Sequence, residues 1–170
     1  MLTNWPSDCA LCDLHKHRRH VVRGRGSVPA EVMLIGMGPG DSEDALGRAF
    51  VGPSGVLLRY GIADACDMIG RVPTIYYDNV VACRPTDSKQ GKNRDPLPYE
   101  CLMCRPRLQE IVSLVKPVRV GFLGKVSAQE GQAVCPDGMT LLHPAYLSRL
   151  GRRHPSYVGW VRDLAKLLRG

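Results

Sequence analysis

Val32-Met33-Leu34-Ile35-Gly36-Met37-Gly38-Pro39-Gly40 runs from four consecutive apolar residues into a loop with glycine at three of its five positions. A short apolar run that ends in turn residues marks a strand buried on both faces, and glycine lets backbone approach a ligand closely. The pattern predicts a strand over 32–35 that delivers residues 36–40 to a binding crevice. Outward from it the chain alternates. Leu57, Leu58, Ile62, Ala65 and Ile69 fall near helical spacing and predict a helix over 54–69. Ile75-Tyr76-Tyr77 with Val80-Val81 predict a second strand, 118–123 a third and 139–142 a fourth, each without clean polar/apolar alternation and so covered on both faces. Helices are expected around 108–115 and 125–133, and over 156–168, where Val158, Val161, Leu164, Ala165 and Leu168 share a face. The fold expected is a three-layer α/β/α sandwich on a central, mainly parallel four-stranded sheet, with ligands bound at the carboxyl ends of the strands. No repeat or linker divides the chain, so residues 1–170 are expected to form one domain.

The 170 residues are 44% hydrophobic and 23% charged, which excludes a disordered tail protein. No apolar run reaches the eighteen or more residues of a spanning helix, and the first residues lack the apolar core of a signal peptide. A soluble, cytoplasmic protein without membrane partners is expected. Lysine and arginine exceed acidic residues by 23 − 16 = 7. Part of the excess lies in His15-Lys16-His17-Arg18-Arg19-His20-Val21-Val22-Arg23-Gly24-Arg25, and part in Arg149, Arg152, Arg153 and His154. Two such clusters on a basic domain point to a polyanion such as nucleic acid.

The glycine loop fits neither common nucleotide motif. Asp41 stands where the dinucleotide fingerprint needs glycine, and no Gly-Lys-Ser/Thr follows. Asp41, Glu43 and Asp44 would also repel a phosphate, so the crevice is expected to take a neutral ligand or a water. Seven cysteines without a secretory signal argue for free thiols in a reducing compartment. Cys9/Cys12 and Cys101/Cys104 each have the two-residue spacing that lets both sulfurs face one centre, either zinc or an iron–sulfur cluster. Cys66 and Cys135 read as small buried hydrophobes.

Five segments in order resemble family 4 uracil-DNA glycosylases: Gly36 through Asp44, then Gly47-Arg48-Ala49-Phe50-Val51-Gly52, then Asn79-Val80-Val81-Ala82-Cys83-Arg84-Pro85, then Leu123-Gly124, then His143-Pro144-Ala145-Tyr146-Leu147. The resemblance covers the chain from about Cys9 to the last helix. It implies a structural 4Fe–4S cluster held by Cys9, Cys12, Cys83 and Cys104, the last chosen over Cys101 because Cys104-Arg105-Pro106 matches the family's final ligand. It implies hydrolysis of the bond between uracil and deoxyribose in DNA, by a monomer that leaves an abasic site. His143 would hydrogen-bond the uracil oxygen that gathers negative charge, a contribution typically of about 10²–10³ in rate. Asn79 would read uracil, since an amide accepts from N3–H and donates to O4, the reverse of what cytosine presents. Phe50 would stack on the extracted base, and Gly36 and Gly38 would line its slot. Tyr146 and Leu147 would wedge into the vacated stack, with Arg149, Arg152 and Arg153 on phosphates.

One position departs from the pattern. Met37 stands where family members commonly carry glutamate, and a thioether takes no proton at neutral pH. Glu43, Asp41 and Asn93 remain as groups that could position water, and slower turnover is expected. Because no lysine stands in the motif loops, Schiff-base strand scission lacks a nucleophile. The missing carboxylate keeps a second class open, a uracil- or DNA-binding module that retains pocket and cluster without efficient catalysis. A zinc-stapled nucleic-acid adaptor would use the cysteines and charge but leave Asn79, Phe50 and His143 idle.

Overall fold

The computed structural model describes residues 5–170. Five strands form one sheet: β1 (Arg25–Gly26), β2 (Val32–Gly36), β3 (Ile75–Asn79), β4 (Arg119–Leu123) and β5 (Met139–Leu141), in the order β1-β3-β2-β4-β5. β2 pairs in parallel with β3 and β4, β4 in parallel with β5, and β1 adds an antiparallel edge to β3. The sheet is thus mainly parallel, as expected, but has five strands rather than four. β1 is two residues long and carries no hydrophobic pattern to reveal it.

Six α-helices complete the described chain: α1 (Asp41–Leu46), α2 (Pro53–Ile69), α3 (Pro98–Val115), α4 (Lys125–Gly131), α5 (Pro144–Ser148) and α6 (Pro155–Arg169). Successive residues of β2 face opposite layers. Val32 and Leu34 pack with Leu58, Ile62, Trp160 and Leu164 of α2 and α6, whereas Met33 and Ile35 pack with Leu108 and Ile111 of α3 and Ala128 of α4. Two apolar cores on one sheet make the three layers and explain why β2 is apolar throughout. α2, α3, α5 and α6 each begin with proline at the first helical turn, where its missing N–H is not needed.

The second strand ends at Asn79, earlier than expected. Val80 and Val81 instead turn back, donating from their amides to the carbonyls of Gly36 (2.9 Å) and Met37 (3.2 Å). α3 starts ten residues before the expected 108 and carries Pro106 inside it. α1 and α5, six and five residues long, were not foreseen. Among the described residues, no helix is long and apolar enough to cross a membrane. The parallel strands run β3-β2-β4-β5, so the direction of winding switches at β2, and a crevice opens at their carboxyl ends.

Candidate active site

A cleft of about 470 Å³ occupies that crevice, within the usual range for small-ligand sites. Gly36, Met37, Gly38, Asp41, Glu43, Phe50, Asn79, Asn93, His143 and Arg149 all line it, so ten of the residues singled out in the sequence converge. β2 delivers Gly36, β3 delivers Asn79, and the turn after β5 delivers His143. A Cβ at position 36 would stand 2.5 Å from Asn79 Oδ1 and 2.8 Å from Phe50 Cζ. Glycine at 36 is therefore what lets the amide and the ring close on the same space.

Asn79 is 4% exposed. Its backbone is fixed: the amide donates to Asp78 Oδ1 at 2.7 Å and the carbonyl accepts from Arg107 Nη2. Asp78 and Arg107 form an ion pair at 2.9 Å, both buried. Among the described residues no hydrogen bond occupies the Asn79 carboxamide, which leaves its donor and acceptor to the cleft. Phe50, 7% exposed, lies 6.0 Å from the Tyr77 ring at 52°. Its backbone is left-handed at φ 55°, which in a non-glycine residue costs about 1–3 kcal/mol and marks a position held by its surroundings.

His143 caps α5, its Nδ1 accepting from the Ala145 amide at 3.0 Å. That bond places the ring proton on Nε2, a donor for the cleft. Burial lowers the His143 pKa below the usual 6.5, against an opposing pull from Asp95, so the ring is neutral at pH 7.

The water-positioning candidates divide. Glu43 spends both carboxylate oxygens on backbone, Oε2 accepting from Gly40 (3.1 Å) and Oε1 from Gly52 (2.7 Å), so it clips the glycine loop to the loop before α2. Asn93 Oδ1 accepts from Arg84 Nε at 2.6 Å. Asp41 Oδ1 accepts from Arg84 Nη1 at 2.8 Å and lies 3.5 Å from Arg19 Nη2, while its Oδ2 makes no bond among the described residues. Arg84, 6% exposed and also donating to the Gly91 carbonyl, is the hub of this wall. Arg84 and Arg107 carry no sign of this in the sequence, where both are ordinary charged residues; only the tertiary structure shows that they are buried. Asp44, counted there among loop carboxylates, is buried and accepts from the Arg19 amide at 2.9 and 3.1 Å.

The expected DNA contacts need correction. Leu147 is 0% exposed and packs in the core, so it cannot be a wedge; Tyr146, 51% exposed, stands alone at that position. Arg152 turns away from the cleft, pairing with Asp64 at 3.0 Å and lying 4.7 Å over Tyr60. The N-terminal cluster is also partly spoken for: Arg18 reaches Cys83 Sγ and the Ser7 carbonyl, Arg23 the Trp5 carbonyl, and Arg25 turns inward.

Cys9, Cys12, Cys83 and Cys104 line one apolar pocket beneath the N-terminal segment, and Cys101 does not. Arg18 Nη1 donates to Cys83 Sγ at 3.5 Å, and the Ala82 amide to Cys104 Sγ at 3.4 Å. Burial pushes the Cys83 thiol up to about 12, with the charge of Arg18 pulling the other way. Arg107 Nε is buried without a hydrogen bond among the described residues, and its guanidinium is within electrostatic reach of Cys104. Among the described residues no three His, Cys, Asp or Glu side chains stand close enough to hold a metal ion. The four thiols share one pocket, and the Arg18 and Arg107 guanidiniums near them would offset the negative charge of a thiolate-bound iron–sulfur cluster. Cys66 is buried in α2, as expected; Cys135 is partly exposed.

The sequence pattern of the Uracil DNA glycosylase superfamily matches residues 23–165, which carry every element of the cleft. The chain belongs to that superfamily. It is 39% identical to a type-4 uracil-DNA glycosylase of Pyrobaculum aerophilum over 72% of this chain and 58% of the relative. It is 38% identical to one of Archaeoglobus fulgidus over 71% and 57%, and 35% identical to one of Thermotoga maritima over 68% and 56%. The chain thus matches a little over half the length of these relatives.

Proposed function

We propose that the cleft hydrolyses the N-glycosidic bond of uracil in DNA and releases the base without cutting the strand. One observation carries this reading: a buried carboxamide without a hydrogen bond among the described residues, an aromatic ring and a neutral imidazole line one cleft of nucleobase size. Asn79 would pair with uracil N3–H and O4, and Phe50 would cover its face. As the bond stretches, negative charge grows on the base and positive charge on the sugar. His143 Nε2–H would meet that negative charge at a uracil oxygen. Asp41, whose Oδ2 is the one carboxylate oxygen of the cleft wall without a bond among the described residues, would orient the attacking water where Met37 offers none. No lysine lines the cleft among the described residues, which supports base release without strand scission.

Cys9, Cys12, Cys83 and Cys104 would hold a 4Fe–4S cluster. When bound, such a cluster cross-links the N-terminal segment to the turn after β3 and to α3, and hydrolysis requires no redox step of it. Seven free thiols fit a protein working in a reducing cytoplasm.

Met37 favours a second reading, a module that binds uracil-containing DNA with little catalysis. Single-turnover release of uracil from an oligonucleotide separates the two. Met37→Glu is expected to leave the rate unchanged or raise it, and Asp41→Asn to lower it by about 10²–10⁴ if the carboxylate serves the water. Tight binding with no release would establish the module instead.

A further inference from the structure

Arg25 stands in the basic N-terminal stretch that the sequence assigns to polyanions, yet its guanidinium points into the protein. Nε donates to the Ala49 carbonyl at 2.6 Å and Nη2 to the Phe50 carbonyl at 3.0 Å. Arg59 of α2 adds a second donor to the Phe50 carbonyl at 3.3 Å. Behind them, the Arg25 guanidinium carbon lies 5.0 Å from the centre of the Tyr77 ring, and Tyr77 in turn touches Phe50. Phe50 is held here in a left-handed conformation that phenylalanine does not choose alone. At Gly55 a Cβ would stand 2.0 Å from the Phe50 carbonyl oxygen, so the first turn of α2 closes the remaining side.

We propose that Arg25, assisted by Arg59, is a positioning residue that fixes the backbone of Phe50 so that its ring is set against the base in the cleft. This rests on the reading of Phe50 as the stacking residue. A guanidinium suits the task because its planar fork reaches two successive carbonyls while its face rests on Tyr77; lysine offers a point charge with neither feature. The Nε–Nη2 edge of Arg25 is thus spent on two carbonyls and its face on Tyr77. The arginine is therefore part of base recognition through Phe50, although its place in the sequence suggests DNA backbone.

Arg25→Gln and Arg25→Lys test it with a uracil-containing oligonucleotide, each alone and combined with Phe50→Ala. Both substitutions are expected to slow single-turnover release by about tenfold or more, the scale of losing hydrogen bonds from a charged donor. The slope of log affinity against log salt should not change. In the Phe50→Ala background either substitution should add less than about a twofold loss, because the residue it serves is gone. A slope reduced by about 0.9, the signature of one lost phosphate contact, overturns the proposal. So do rescue by lysine, and a loss that multiplies undiminished onto Phe50→Ala. Amide hydrogen exchange over residues 49–55 reads the clamp without any activity: it should quicken in both variants, and unchanged exchange overturns the clamp. Quickened exchange with no uracil release by the wild type would instead refute only the proposed function. If neither variant folds, Arg59→Gln on the exposed side of α2 is read by the same measurements with the same expected signs.

Discussion

A histidine that accepts through Nδ1 from a helix amide has only one nitrogen left to donate, and His143 lines the cleft. The proposed role is that of a neutral donor, with which the pKa lowered by burial is consistent. His143→Ala is expected to cut the single-turnover rate by about 10²–10³ while DNA affinity changes little, read by quench-flow and by filter binding. The same shift fixes a pH dependence. Because the folded pKa lies below the unfolded 6.5, the unfolded chain binds the proton more readily in between. Stability from this group is complete above 6.5 and is lost as pH falls through the folded value. Denaturant midpoints should fall with pH in that window, and His143→Gln should flatten that part of the curve. Asn79 and His143 open their motifs and Phe50 lies within one, which is why the sequence singles them out, and all three line the cleft. Glu43 was legible as a residue but not in its role, since two backbone amides claim its oxygens only once the loops meet.

Among elements, β2, α2 and α6 were legible because burial on both faces or along one stripe leaves a pattern. β1, α1 and α5 were not, because two to six residues are too few to show a period. α3 was read too short: Pro106 looks like a start, whereas the helix begins at Pro98 with the Glu100 carboxylate accepting from the Leu97 amide at 2.7 Å. α3 matters to the cleft through Arg107, which ties Asp78 and the Asn79 carbonyl at the end of β3. Arg107→Met leaves Asp78 as an uncompensated buried charge and is expected to cost about 3–5 kcal/mol in denaturant unfolding. Asp78→Asn with Arg107→Met should recover part of that loss. A cost near zero for the single substitution would show that the pair does not anchor β3. Leu147 teaches the opposite lesson: it follows Tyr146 in the same motif, but a five-residue helix turns one side chain out and the next into the core.

For the molecule as a whole, the formal charge of +7 does not say which arginines face solvent. Arg84 and Arg107 are buried, on the cleft wall and on β3, and the half-buried Arg18 and Arg25 are engaged by a thiol and by the Phe50 carbonyl. Composition counts charges but cannot say which way they point. The four thiols of the apolar pocket come from the N-terminal segment, the turn after β3 and α3, parts of the chain that the sheet alone does not join. Anaerobically purified protein is expected to be brown, with broad thiolate-to-iron absorption that Cys104→Ala abolishes and Cys101→Ala preserves. Colourless protein with stoichiometric zinc would contradict the assignment. The central claim, that this cleft breaks the glycosidic bond of uracil, is tested most directly by incubating the protein with an oligonucleotide carrying one uracil. Free uracil is expected in step with abasic sites, with a strand that stays whole until alkali cuts it at that position. A strand that is bound yet still holds its uracil, in single- and double-stranded form alike, would contradict it.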